Sequence, residues 1–126
     1  MKFLNVDLEV AGRSSLEPLD AELAPRLFAL YRGREGSLDR AHYETRHQYG
    51  DAETCIRAML RVLQRMSPKA RRCWRAATVR DFSVGVQSGA KPFSFEVPIS
   101  PATLADVAKL GARIVFTVYA PPRRRR

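Results

Sequence analysis

Three residues of this sequence, His42, Glu44 and His47, have side chains that commonly carry out acid–base chemistry or bind metals. The two histidines lie five residues apart on or beside a predicted strand, where an odd separation points side chains to opposite faces. No cysteine or acidic neighbour completes a tetrahedral ligand set, so we predict no metal and no cofactor. Glu44 would share a face with His42 and could form a His–Glu acid–base pair with it. A solvent-exposed polar strand face explains both residues more simply.

The serines and glycines offer neither a nucleophile nor a phosphate-binding loop. A serine nucleophile needs a histidine base and a sharp turn flanked by glycines, and Ser83, Ser88 and Ser94 lack that context. Residues 85–89 (GVQSG) superficially resemble a phosphate-binding loop, but no Lys-Ser or Lys-Thr pair follows and no helix begins there. Gly85 inside a strand instead indicates a bulge or the close approach of another element. We therefore predict no catalytic residues and a protein that is not an enzyme.

Arginine side chains are the strongest candidates for a binding site. Residues 57–80 include eight basic side chains and no acidic one, and Arg123–Arg126 add four more. Such clustering creates a long-range field that selects partners by charge. Residues four apart on a helix share a face, which predicts a partner-binding stripe of Arg57, Arg61 and Arg65. Arg72 from the next predicted helix could extend this site. The alternative is a solvated helix face, because 18 arginines against 4 lysines is a ratio that GC-rich coding produces by itself.

The length and composition limit the class of protein. A chain of 126 residues suits one domain with one core, and we predict a domain over 1–120 followed by a disordered basic tail, 121–126. No apolar run reaches the ~18–20 residues that cross a bilayer, and the acidic residues among the first ten exclude a signal peptide. Cys55 and Cys73 are too few and too far apart for a zinc motif, so we predict free, buried or half-buried thiols in a reducing cytoplasm.

The first part of the chain predicts a strand followed by turns. Apolar and polar residues alternate over 3–10, which is typical of a half-buried antiparallel strand, and the segment 11–15 breaks it. The leucines of 16–24 have helical spacing. Prolines at 18 and 25 shorten anything that forms there, so we predict one or two irregular turns.

Two predicted strands, 26–32 and 38–46, flank a connection that contains Gly33 and Gly36. Both flanks contain aromatic and aliphatic residues, and a five-residue connection with two glycines is typical of a hairpin. A helix continuing through Phe28–Tyr31 is the alternative that the sequence leaves open.

Two predicted helices follow the hairpin. Asp51 can cap a helix that runs to about Met66, because its carboxylate accepts the free amide groups of the first turn. The apolar residues of this helix have the spacing of a core-facing stripe: Ile56, Met59, Leu60 and Leu63. Ser67 and Pro68 begin a second helix that ends near Ala77.

The last part of the chain predicts a strand, a helix and a strand. Residues 78–87 form the first strand, and 93–97 form a short extended piece. A Ser-Pro pair then begins a helix of about ten residues that ends at Gly111. Residues 113–120 are apolar on both faces, as expected for a central strand.

These elements predict an α+β fold, with a single domain and a largely antiparallel sheet on which about three helices pack. Trp74 is the only aromatic residue of the basic region, and a lone tryptophan there is more typical of a core than of a nucleic-acid surface. We predict that seven residues form the centre of the core: Ile56, Leu60, Trp74, Phe82, Val84, Phe116 and Val118.

Five tracts carry a resemblance: 80–87 (RDFSVGVQ), 99–101 (ISP), Leu110–Ala112, 114–119 (IVFTVY) and the opening strand 5–10. They resemble a family of small bacterial α+β domains of unknown function, and the likeness is strongest over 78–120. Members of that family have a strand with a central glycine, a capped helix, a Leu-Gly-Ala motif and a final strand ending in tyrosine. The resemblance implies a fold. Comparable small domains often act as immunity proteins that neutralise a toxin encoded alongside them.

We therefore expect a non-enzymatic protein-binding domain of the immunity (toxin-neutralising) kind, whose partner is an acidic protein such as a cognate toxin. Charge complementarity would speed that association. The alternative is a nucleic-acid-associated protein that uses the 57–80 basic region and the arginine tail. Phosphate binding weakens steeply with salt through counterion release, so a salt titration separates the two hypotheses. Neither of them involves a membrane.

Overall fold

Five strands form one sheet in the order β2-β3-β1-β4-β5 in the computed structural model, which describes residues 1–123. Neighbouring strands are antiparallel except β4 and β5, which are parallel and joined by a helix. The strands are β1 (Lys2–Gly12), β2 (Phe28–Glu35), β3 (Leu38–Glu44), β4 (Val79–Gln87) and β5 (Arg113–Tyr119). The helices are α1 (Glu17–Leu23), α2 (Ala52–Leu63), α3 (Pro68–Ala76) and α4 (Pro101–Lys109). The predicted α+β class is confirmed, with four helices instead of about three.

Three of the helices begin where the sequence predicts. Each is capped by a side chain that accepts the amide N–H three residues further on, and the caps are Asp51, Ser67 and Ser100. α3 and α4 then begin with proline, whose missing N–H has no intrahelical partner to lose in the first turn. Local hydrogen bonding therefore determines where these helices start.

The irregular turns predicted over 16–24 are wrong, because residues Glu17–Leu23 form the regular helix α1. Pro18 lies in its first turn, where the helix makes no use of the N–H that proline lacks. Leu19 and Leu23 are fully buried. Burial of this apolar face, supplied by the rest of the molecule, stabilises a helix that is too short to form alone.

β1 continues as far as Gly12, so the break predicted over 11–15 begins only after this glycine. A Cβ atom at Gly12 would lie 3.2 Å from the Cα of Ala77, and the missing side chain lets the end of α3 pack closely on the strand. The predicted hairpin is confirmed and its helical alternative is wrong. β2 and β3 pair antiparallel around Gly36, whose φ of +60° suits a tight turn.

The close approach predicted at Gly85 of β4 is also confirmed. A Cβ atom there would lie 3.0 Å from Oδ1 of Asn5 on the neighbouring β1. The glycine therefore makes room for a side chain of the adjacent strand.

The core lies between one face of the sheet and the helices. The sheet contributes alternate residues of its central strands, such as Leu8 of β1 and Tyr43 of β3, which are fully buried. Five of the seven residues predicted at the centre of the core are buried, as predicted: Ile56, Leu60, Trp74, Phe82 and Val84. The indole N–H of Trp74 donates to the carbonyl of Leu110 at 2.7 Å. This side chain therefore connects α3 to the end of α4.

The prediction for the last strand is wrong in two respects. Phe116 and Val118 are 52% and 64% exposed, and β5 lies at the edge of the sheet instead of its centre. α4 contacts α2 as well as β5, and its nine residues span only about 13 Å against about 23 Å for the seven residues of β5. Ile114, at the start of β5, packs against the core, but the helix is too short to cover the rest of the strand.

The extended piece predicted over 93–97 joins none of the strands described above. Phe93 is 99% exposed, whereas Phe95, Val97 and Ile99 are half-buried and pack against the core. Alternate side chains of this extended loop therefore point inward, so the loop covers part of the core without pairing in the sheet.

Two glutamates bind the N-terminal ends of neighbouring helices. Glu53 on α2 accepts the Thr103 hydroxyl at 2.6 Å and the Ser100 N–H at 2.7 Å, at the start of α4. Glu22 on α1 accepts the hydroxyl and the N–H of Ser67, at the start of α3. Hydrogen bonds to the charged form hold the pKa of both carboxyl groups below their ordinary value. These contacts fasten α4 to α2 and α3 to α1.

Both cysteines are free thiols, as predicted, with Cys55 buried and Cys73 half-buried. Burial raises the pKa of the Cys55 thiol, so this group stays neutral at pH 7. The Cys55 thiol is therefore not in a setting that would make it a reactive thiolate.

None of the helices within residues 1–123 is long and apolar enough to cross a membrane. The disordered basic tail predicted over 121–126 lies partly outside the described residues, which end at Arg123.

Candidate functional site

A cavity of about 560 Å³ lies between the end of α1, the segment after β3 and α2. Its lining residues fall within three segments, 26–27, 45–49 and 58–65, and none of these lining residues is acidic. We call this cavity the basic cleft. Its arginines are Arg26, Arg46, Arg61 and Arg65.

α2 supplies one wall of the basic cleft. The stripe of α2 that contains Met59 and Leu60 is buried in the core, which fixes the rotation of the helix. Arg61 and Arg65 therefore face outward, four residues apart, with Val62 beside them as an apolar surface.

The segment after β3 supplies the other wall and is held in place by Arg46. The Nε of Arg46 donates to the carbonyl of Leu27, and its Nη2 donates to the carbonyl of Ala24, each at 3.2 Å. The rings of His47 and Tyr49 pack edge to face with centroids 4.9 Å apart. These contacts tie the segment to the end of α1 and give the cleft a structured rim.

None of the cleft arginines forms an ion pair within residues 1–123, and the acidic residue near them is Glu22, which binds Ser67 and lines an adjoining cavity with Arg26 and Arg65. The arginines that pair with described carboxylates are Arg32, Arg40, Arg57 and Arg113, and no cleft arginine is among them. Four like charges around a partly apolar cavity raise its positive potential. An anionic group that enters reduces their repulsion and gains charge-assisted hydrogen bonds. The arrangement is therefore suited to binding an anion.

The structure separates the four arginines of the predicted binding site. Arg61 and Arg65 are exposed and line the basic cleft. Arg57 is half-buried, and its Nη1 donates to Oδ2 of Asp106 at 2.7 Å, which joins α2 to α4. Arg72 lies on α3 and lines a different cavity of about 360 Å³. Two of the four predicted residues therefore come together at one site.

Helical geometry explains this division. Each step of four residues places the next side chain about 40° further round the helix, so the predicted ridge winds away from a single face. Asp106 of α4 lies beside the first position and binds Arg57. Arg65 lies beyond Leu63, where α2 ends. Of the three regularly spaced arginines, Arg57 therefore forms an ion pair, whereas Arg61 and Arg65 face the cleft.

No pattern in the sequence singles out the other two cleft arginines. Arg26 lies between α1 and β2, and Arg46 follows β3, so each is an isolated arginine on a connection. Only tertiary packing brings them next to α2. The single local signal is their position on loops between regular elements, where binding residues are common.

The face of the sheet opposite the helices carries His42 and Glu44. The ring of His42 lies 5.7 Å from that of Tyr31, between centroids, and Glu44 accepts a hydrogen bond from Asn5 at 3.4 Å. The pKa of the neighbouring Asp7 is raised by burial and by the charge of Glu44. Among the described residues, His42 and Glu44 share no hydrogen bond, and no three His, Cys, Asp or Glu side chains form a metal-binding group.

A scan against protein-family models finds no match for this sequence, and comparisons with curated proteins and with solved structures find none either. The geometry and charge of the basic cleft are therefore the basis for any assignment of function.

Proposed function

We propose that this chain is a non-enzymatic binding domain that holds an acidic segment of a partner protein in the basic cleft. The observation that carries the proposal is the convergence of four arginines on one cavity, none of them paired with a described carboxylate. An acidic segment supplies ion-pair partners that the described residues do not give these arginines. The overall charge of +9 would also steer such a partner toward this chain.

The two neighbouring arginines at the end of α2 suit an extended acidic peptide. Arg61 is in the last turn of the helix and Arg65 is in the turn that follows Leu63, and alternate residues on one face of an extended strand are about 6.8 Å apart. Arg61 and Arg65 can therefore each bind a carboxylate of an acidic-x-acidic sequence through two parallel hydrogen bonds. Val62 and Tyr49, which are half-buried, offer apolar contact beside those charges.

The proposed partner class rests on an analogy with other small single domains. An immunity role, in which the chain neutralises a cognate toxin, is common among domains of this size. The basic cleft adds a requirement, namely that the toxin presents an acidic segment. A basic inhibitor does not mimic nucleic acid, so we favour a toxin that is not a nuclease. Free thiols at Cys55 and Cys73 are consistent with action in a reducing cytoplasm.

A nucleic-acid-associated role is the second candidate, and the same geometry makes it weaker. A phosphate backbone is bound best by a continuous basic track. The ion pair between Arg57 and Asp106 interrupts the track predicted along α2, and Arg72 lies at another cavity. The cleft is a local group of charges, which suits a short acidic segment better than a long polyanion.

The test compares two probes by fluorescence anisotropy: a short peptide in which glutamate alternates with leucine, and a single-stranded oligonucleotide of matched charge. The double change Arg61→Glu and Arg65→Glu should weaken peptide binding by at least about 30-fold. The matched control is Arg72→Glu with Arg75→Glu, which makes the same change in net charge on exposed residues of α3. The control should weaken binding less than about threefold, equivalent to ~0.7 kcal/mol.

Two results would contradict the proposal. Equal weakening by both double variants would mean that only net charge matters. Tight oligonucleotide binding with a steep salt dependence, and no peptide binding, would favour the nucleic-acid role. Arg57 stays unchanged in these variants, because reversing its charge would break the contact with Asp106 and disturb the packing of α4.

A further inference from the structure

β5 has the composition of a central strand but lies at the edge of the sheet. Residues Ile114–Ala120 carry no charge, and Phe116, Val118 and Tyr119 are each more than half exposed. Edge strands that face solvent are usually protected by charged side chains, proline or a bulge. β5 pairs with β4 in unbroken register and, after Arg113 at its first position, has none of these before Pro121.

The backbone of β5 leaves one row of hydrogen-bonding groups without a partner in the sheet. The Ser88 N–H donates to the Tyr119 carbonyl at 2.8 Å, so the backbone groups of Tyr119 face β4. The N–H and C=O of one strand residue point to the same side, and the side alternates along the strand. The residues whose backbone groups face the open edge are therefore Ile114, Phe116 and Val118.

We propose that β5 pairs with β5 of a second copy of this chain. The two strands run antiparallel about a two-fold axis at Phe116, so that two five-stranded sheets join into one. Three residues of each strand then form hydrogen-bonded pairs, which gives roughly six backbone hydrogen bonds across the axis. A two-fold arrangement closes on itself and leaves no further β5 edge open.

The sequence of β5 is complementary to itself in this register. Phe116 lies opposite Phe116 of the second copy, and Ile114 lies opposite Val118, on the face that carries the helices. Val115 lies opposite Thr117 on the other face. Aromatic and β-branched residues directly opposite each other are the pairs that stabilise sheets. In each of these three kinds of pair, a side chain meets a compatible one. This self-complementarity favours a second copy of the chain as the partner of β5.

The charges of the strand are compatible with the same pairing. The register places Arg113 opposite Tyr119 at each end, about 20 Å apart along the strand. The Nε and Nη2 of Arg113 already donate to both carboxylate oxygens of Asp81, at 2.9 and 2.8 Å. No uncompensated charge of the strand is therefore brought to the axis.

The area available predicts a modest affinity. The exposed halves of Phe116 and Tyr119, with Val118 and the strand backbone, amount to roughly 400–500 Å² per copy, which is at the lower end for a specific interface. Two chains of charge +9 also repel each other. We expect a dissociation constant in the micromolar range, and we expect salt to strengthen the dimer by screening that repulsion.

The test is the oligomeric state of the full chain by sedimentation equilibrium. Phe116→Lys should weaken the dimer by about 100-fold or more. The two-fold axis places the lysines of the two copies directly opposite each other, where like charges repel and the aromatic contact is lost. The matched control is Phe28→Lys on the other edge strand, β2, where the phenylalanine is 53% exposed. It should leave the dimer within about threefold of the unchanged chain.

A second variant separates pairing from folding. Val118→Pro removes an N–H that faces the open edge and that β4 does not use, so it should abolish the dimer while circular dichroism stays unchanged. A wild-type chain that remains monomeric up to about 1 mM, or a dimer that Phe28→Lys weakens as much as Phe116→Lys, would overturn the proposal. The cleft variant Arg61→Glu with Arg65→Glu should dimerise at least as tightly, since it lowers the repulsion between the two chains, so this result is independent of the proposed function.

Discussion

The two edges of the sheet, β2 and β5, face solvent in opposite ways. β2 carries Arg32, Arg34 and Glu35, and its register with β3 shifts between Ala29 and Tyr31. β5 has no charge between Ile114 and Ala120 and pairs regularly with β4. Charges and bulges prevent an edge from pairing with another chain. One edge of this molecule is therefore protected by its own side chains, whereas the other remains suited to pairing.

Ion pairs anchor the protected edge. Asp39 of β3 is buried and accepts hydrogen bonds from Arg32 of β2 and from the Leu16 N–H at 2.7 Å. Arg40 of β3 lies 2.8 Å from Glu35 of β2. The charged side chains of β2 are therefore held by its neighbours, and a second strand would have to displace them.

The β5 edge is stabilised instead by the preceding helix α4 and by the ion pair of its first residue. The helix before β5 is fixed at its end by Trp74 and at its start by Glu53. Asp81 holds Arg113 at the first residue of the strand. Beyond Ile114 the strand depends on its pairing with β4, and one side of it stays open.

The largest effect on stability is expected from removing Trp74, which binds the end of α4 next to β5. Trp74→Ala should lower the free energy of unfolding by about 3–5 kcal/mol, because a fully buried side chain leaves a cavity. Urea unfolding followed by circular dichroism measures this, since Trp74 is the only tryptophan and its fluorescence is lost. Trp74→Phe keeps a ring but leaves the Leu110 carbonyl without its partner, and should cost about 1–3 kcal/mol. A loss below about 1 kcal/mol for Trp74→Ala would contradict the core assignment.

A somewhat smaller effect is expected at the protected edge. Asp39→Ala removes the shortest ion pair of Arg32, leaves the Leu16 N–H unpaired and should cost about 2–3 kcal/mol, less than a fully buried pair because Arg32 is partly solvated and also lies near Glu17 and Asp20. Urea unfolding measures it. Glu35→Ala, which removes a more exposed ion pair of the same hairpin, is the control and should cost less than about 1 kcal/mol. Equal losses would mean that β2 is not anchored through Asp39.

The smallest effect is expected from a change of pH at the start of α4. The pKa of Glu53 lies below its ordinary 4.5 because Thr103 and Ser100 donate hydrogen bonds to the charged form. Its contribution to stability is therefore fully present above pH 4.5 and is lost as the pH falls through the lowered pKa.

Glu53→Gln tests this contribution. It should cost less than about 1 kcal/mol at pH 7, since Glu53 is only half-buried and the amide of glutamine can still accept hydrogen bonds from Ser100 and Thr103. The difference from the unchanged chain should shrink between pH 5 and pH 3. Hydrogen exchange should localise the loss to α4, whereas Glu22→Gln should affect α1 and α3. A difference that does not change with pH would show that the charge of Glu53 contributes nothing.

The local elements of the fold were predictable because short-range contacts specify them. Asp51, Ser67 and Ser100 each accept an amide N–H three residues away, and that hydrogen bond depends on nothing distant. The hairpin around Gly36 follows from the conformation that its turn requires. The stripe of α2 that contains Ile56 and Leu60 indicates which side faces a core, whatever that core is made of.

Tertiary structure alone decided which surfaces are covered. A strand that is apolar on both faces can lie at the centre of a sheet or at an uncovered edge, and its sequence does not distinguish the two. The exposure of Phe116 therefore depends on the short helix α4 and not on β5 itself. α1 forms in spite of Pro18 because other elements bury its leucines. The basic cleft exists because packing brings Arg26 and Arg46 to α2 while Asp106 binds Arg57. The sequence by itself thus determines hydrogen bonds between near neighbours, whereas burial and charge pairing depend on residues far along the chain.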